Sequence, residues 1–143
     1  MDVQKLLRNP RFRLLRGPAP DPSQVKQFRE HAPPKLPRTY VRFMEACDGA
    51  RGKIPYDTGY IEFFSLERVL DENRAHGVAQ TLPGFFAFGS DGGDELYVFD
   101  LRKDDGAPVC SVPAKSGSVS AVSPITNSFS EFLEGIVMMA GAN

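Results

Sequence analysis

Phe86-Ala-Phe-Gly-Ser-Asp-Gly-Gly-Asp-Glu-Leu-Tyr-Val-Phe-Asp100 reads as two apolar strands joined by a glycine turn. Phe85, Phe86 and Phe88 are aromatic strand formers at its start, and Leu96, Tyr97, Val98 and Phe99 close it. Between them, Gly92-Gly93 offer the positive φ values of a tight turn. Asp flanks such turns because its carboxylate bonds nearby backbone N–H groups. Strands joined by so short a turn pair antiparallel.

Residues 84–122 as a whole read as a meander of short strands, with a second turn at Lys103-Asp-Asp-Gly106 and a strand from Pro108 to Val112. Downstream, Ser128-x-x-Glu131 is a capping box, and Phe129, Phe132, Leu133, Ile136, Val137 and Ala140 keep one apolar helical face. Upstream, Ser65 is placed to cap a helix whose buried stripe is Leu66, Val69 and Leu70, with Gly77 as its stop. Ile54 to Phe64 reads as extended, turning at Pro55, Asp57 and Gly59. Leu36 to Gly49 reads as a helix with Pro37 in its first turn and Gly49 as a left-handed terminator. Ser23 to Glu30 forms a short helix, capped by Ser23 and ended by Pro33-Pro34. Helices grouped around a run of strands predict an α+β fold: a single domain, a mostly antiparallel sheet and helices packed on it.

Size and composition agree. The chain's 143 residues suffice for one core, and 41% hydrophobic with 24% charged residues exclude disorder over the whole length. A net charge of −1, from 17 basic and 18 acidic residues, predicts no direct nucleic-acid partner. Basic residues do gather at Lys5, Arg8, Arg11, Arg13 and Arg16, but Leu6, Leu7, Phe12, Leu14 and Leu15 alternate with them. Residues 1–22 are therefore expected to be a basic amphipathic segment and Pro-rich linker, ahead of a domain over 23–143. With no apolar run of membrane-spanning length and no signal-peptide pattern, the expected setting is the cytoplasm and no membrane is expected as a partner. Cys47 and Cys110 then read as buried free thiols.

Gly89-Ser90-Asp91-Gly92 invites a serine-nucleophile reading, but Phe88 stands where the turn's first glycine belongs, and a strand follows in place of the required helix. Asp91, Asp94 and Glu95 lack the alternate acidic spacing of an EF-hand loop. His31 and His76 have no ligand-spaced neighbours, so neither zinc nor histidine acid–base chemistry is expected. Phosphate-loop and dinucleotide signatures are absent. The expectation is no catalytic residues, no cofactor and no metal, with a protein partner. Its candidate contacts are Asp57, Glu62, Asp91, Asp94 and Glu95, carboxylates suited to a basic surface.

In order along the chain, these pieces resemble the SUKH superfamily, the bacterial immunity-protein family that includes a yeast cell-wall-assembly regulator. Three stretches carry the resemblance: Leu36-Pro-x-x-Tyr40 running to Asp48-Gly49, the Phe86–Asp100 segment followed by Pro108-Val109, and Ser128-Phe129-x-Glu131-Phe132-Leu133. Two departures stand out: Asp48-Gly49-Ala50 replaces the family's frequent Asn-Gly-Gly, and tryptophan is absent. The resemblance implies a non-catalytic α+β domain that neutralises a polymorphic toxin, often a nuclease, by direct binding. Its alternative is a regulatory or scaffold module of the same fold. A small hydrolase using Ser90 is a third, less favoured reading.

Overall fold

A computed structural model describes residues 1–103, 106–115 and 117–141, the side chains of 140 and 141 excepted. Residues 104 and 105, at the centre of the expected second turn, therefore lie outside it, as does the side chain of Ala140. Seven strands form one sheet in sequence order: β1 (Leu15–Arg16), β2 (Ala50–Lys53), β3 (Tyr60–Phe63), β4 (Phe85–Ser90), β5 (Glu95–Asp100), β6 (Val109–Pro113) and β7 (Ser123–Thr126). Every neighbouring pair is antiparallel. The helices are α1 (Val3–Leu7), α2 (Pro22–His31), α3 (Arg38–Ala46), α4 (Leu66–Ala75), α5 (Val78–Thr81) and α6 (Phe129–Gly141). The protein is thus an α+β domain built on an antiparallel meander.

Aromatic side chains hold α3 and α6 against the sheet. Tyr40 and Phe43 of α3 and Phe129 and Phe132 of α6 meet Phe63, Phe88 and Phe99, and the Phe88 and Phe99 rings stack at 4.3 Å. Edge-to-face contacts predominate, as the ring quadrupole favours. Side chains alternating to the other face, such as Leu96 and Val98, are buried too, so β4, β5 and β6 run through the core. The amino-terminal residues share that core: Val3, Leu7, Phe12 and Leu14 are buried, and β1 extends the sheet beyond β2.

β3 pairs with only the end of β4, at Ser90 and Gly89. Where β3 departs, Asn73 of α4 takes its place. Its Oδ1 accepts the Ala87 N–H at 2.8 Å and its Nδ2 donates to the Ala87 carbonyl at 2.8 Å. A side-chain amide thus satisfies both backbone groups that an edge strand would leave open.

Local boundaries differ from expectation for identifiable reasons. Asp21, not Ser23, caps α2, in a reciprocal box with Gln24 that supplies a partner on each side. α3 stops at Ala46 with Cys47 already extended, so Gly49 (φ 90°) shapes the entry into β2 instead of ending the helix. Ser65 does occupy the cap position of α4, but the carboxylate bonding its first turn is that of Asp48, which accepts the Leu66 N–H at 2.8 Å. At α6, Ser128 Oγ accepts the Glu131 N–H while Glu131 reaches back to the Asn127 N–H.

Candidate protein-binding site

The β4–β5 turn is organised by Asp91. Its Oδ1 accepts the N–H groups of Gly93 (2.8 Å) and Glu95 (3.1 Å), and its own N–H donates to the Glu95 carbonyl. Gly92 carries the positive φ (81°), whereas Gly93 does not use the left-handed region expected of it. The Asp94 carbonyl accepts the Ala114 N–H at 2.7 Å, fastening the turn to the end of β6.

Facing this turn is the β2–β3 loop, held by an unusual approach to α6. Tyr56 lies over Gly135, where an added Cβ would fall 1.7 Å from the Tyr56 hydroxyl. That hydroxyl donates to the carbonyls of Phe132 (3.1 Å) and Glu131 (3.3 Å), and the ring stacks on Phe132 at 4.8 Å. The clamp fixes the next two residues, Asp57 (φ 47°) and Thr58. Thr58 lies close enough to the Asp91 carboxylate to favour its charged form. Tyr97, whose hydroxyl donates to the Tyr60 carbonyl at 3.0 Å, lies beneath.

Asp57, Asp91, Asp94 and Glu95 therefore share one end of the sheet. Desolvation, then the charges of Asp57, Asp91 and Asp94, push the Glu95 carboxyl above its ordinary value. Desolvation pushes Asp91 the same way, yet the Gly93 and Glu95 N–H groups and Thr58 outweigh it and hold that carboxyl low. Asp91 is thus a structural anion, and Glu95 is the strained member of the group. Glu62 of β3, opposite Ser90, is half-exposed at the edge of this group, with its carboxylate 3.9 Å from Arg68. Sequence reasoning missed Tyr56 and Thr58; their role comes from an approach to Gly135 across almost eighty residues, which leaves no local signal.

Ser90 is the last residue of β4, and its Oγ accepts the Gly92 N–H at 3.1 Å. The histidines are engaged on helices: His31 Nδ1 lies 2.9 Å from the Gln27 carbonyl, and His76 Nε2 lies 3.4 Å from Glu72. Both cysteines are buried free thiols, and desolvation pushes Cys47 up to about 12 and Cys110 up to about 11. Among the described residues, no group of three His, Cys, Asp or Glu side chains is arranged to hold a metal ion, and no helix is long and apolar enough to cross a membrane.

What the meander and its loop cluster define is a compact α+β domain that presents open, charged surface. Residues 19–135 match the SMI1 / KNR4 family (SUKH-1), and the chain belongs to that family. Membership makes it an immunity- or regulatory-type domain, in a family that is generally non-catalytic and typically protein-binding. No curated protein matches the chain significantly.

Proposed function

We propose that this protein is an immunity protein that binds a bacterial polymorphic toxin directly and neutralises it, acting in the cytoplasm. The acidic end of the sheet is its docking surface. The observation that carries this reading is the gathering of Asp57, Asp91, Asp94 and Glu95 at one end of the sheet, where desolvation and then the three like charges push the Glu95 carboxyl up, and a basic partner would offset that charge crowding. A nuclease toxin is the partner class that fits, because its substrate channel is basic for the same reason that it holds nucleic acid. Covering that channel with carboxylates blocks the substrate without chemistry. Glu62, already facing Arg68, belongs to the rim of this surface.

The test takes, as candidate toxins, the nuclease-type toxin domains encoded in the same genome. Equimolar protein should abolish the activity of one of them. The Asp57→Asn, Asp94→Lys double variant should bind about tenfold or more weakly, with a flatter salt dependence. Unchanged affinity and unchanged salt dependence would remove the acidic end from the interface. No binding to any of these toxins would favour the regulatory reading of the same fold.

A further inference from the structure

A second surface of opposite character lies at the far end of the molecule. Between α2 and α3 runs a groove of about 340 Å³. Phe28, Leu36 and Val41 form its floor, and Pro33 and Pro34 form one wall. Arg38 and Arg42 stand along the α3 rim, both exposed. Arg29, also at the rim, is paired with Glu45. Arg38 and Arg42 have no carboxylate within ion-pair distance among the described residues. Pro33 also borders a cleft with Phe85 and Phe86, at the start of β4, whereas the acidic turn follows its end. Six strand residues separate the two regions by about 17 Å.

We propose that this groove is a second docking site, for an acidic, extended segment of a protein partner with an apolar side chain between two carboxylates. Arg38 and Arg42 are one helical turn apart, about 6 Å between their Cβ atoms. Alternate residues of an extended chain repeat at about 6.6 Å, so two carboxylates in an acid–x–acid segment reach both guanidinium groups at once. The intervening side chain then faces the Pro33–Pro34 wall, where apolar cover is needed. A small anion would satisfy the arginines and leave the wall and floor wet. The inference stands independently of the toxin reading, since it uses none of the acidic residues.

The experiment titrates ¹⁵N-labelled protein with the blocked peptide Gly-Glu-Leu-Glu-Gly, following amide shifts. The matched probes are Gly-Lys-Leu-Lys-Gly, Gly-Glu-Ser-Glu-Gly, acetate and inorganic phosphate. The expected result is a saturable shift at Ala32, Val41 and Arg42. It should weaken about fivefold with the serine probe, as the lost apolar contact requires. It should vanish with the lysine probe and in Arg38→Glu, Arg42→Glu. If that variant does not fold, Arg38→Gln, Arg42→Gln gives the same readout, while Asp57→Asn, Asp94→Lys should leave the binding intact. Shifts centred on Gly92–Glu95, equal binding of the lysine probe, phosphate or acetate reproducing the same shifts, or no shift with peptide at about 1 mM would each overturn the proposal.

Discussion

Gly135→Ala separates two opposed expectations about the same residue. In an isolated helix interior, replacing glycine with alanine stabilises by about 1 kcal/mol, because alanine restricts the unfolded backbone and favours the helix. Here the new methyl group falls 1.7 Å from the Tyr56 hydroxyl and 2.8 Å from the ring carbon that bears it. The ring must leave. It then gives up its hydrogen bond to the Phe132 carbonyl, about 1 kcal/mol, and its stack on Phe132, about another 1 kcal/mol. Ring surface buried against α6 is lost as well, again about 1 kcal/mol at the usual area coefficient. These losses outweigh the propensity gain by about 2 kcal/mol, so the variant should be destabilised. The melting temperature should fall by about 4–8 °C for a chain of this size. Urea unfolding of four proteins makes the test sharp: the parent, Gly135→Ala, Tyr56→Ala and the double variant. In the Tyr56→Ala background the clash is gone, and Gly135→Ala should turn stabilising by about 0.5–1 kcal/mol. If the single Gly135→Ala variant is stabilised in the parent background, Tyr56 does not lie on α6. The account of how Asp57 and Thr58 are held beside Asp91 would then fail with it.

Tyr40 is fully buried and its hydroxyl has no hydrogen-bond partner among the described residues, so Tyr40→Phe should raise the urea midpoint, by about 1 kcal/mol in stability. A loss of comparable size would show that the hydroxyl is satisfied in solution. Asn73→Ala should cost about 2–3 kcal/mol in chemical denaturation, because it opens the N–H and carbonyl of buried Ala87 together; a cost below about 0.5 kcal/mol would mean the amide is no strand substitute. Glu95→Gln should stabilise the fold at neutral pH. The raised carboxyl makes the folded form hold its proton more tightly than the unfolded chain, so that contribution is present in acid and lost as pH rises through the folded value. The variant's advantage should therefore shrink toward pH ~3, well below the ordinary glutamate value, and an advantage independent of pH would refute the desolvated, charge-crowded setting of Glu95.

The strands β4 and β5 and the helix α6 were legible in the sequence because each carries its own local instruction. Phe86–Phe88 and Leu96–Phe99 flank a glycine turn, and Ser128 and Glu131 cap a continuous apolar face. β1, β2 and β7 carried no such instruction. Leu15-Arg16, Ala50-Arg-Gly-Lys53 and Ser123-Pro-Ile-Thr126 are short, polar or interrupted by glycine and proline, and they become strands only because a neighbour offers its edge. The same limit applies to caps, since Asp48 serves a helix that begins eighteen residues later.

For the binding surface, the sequence determined which carboxylates exist and that a glycine turn projects Asp91, Asp94 and Glu95. Tertiary structure decided their company. It drew Asp57 to them through Tyr56 and Gly135, turned Asp91 into a scaffold for its own turn, and set Glu62 against Arg68. Charge is a local property that a sequence states outright. Which charges meet depends on backbone paths that pass within van der Waals contact of each other, and only the packed chain fixes those.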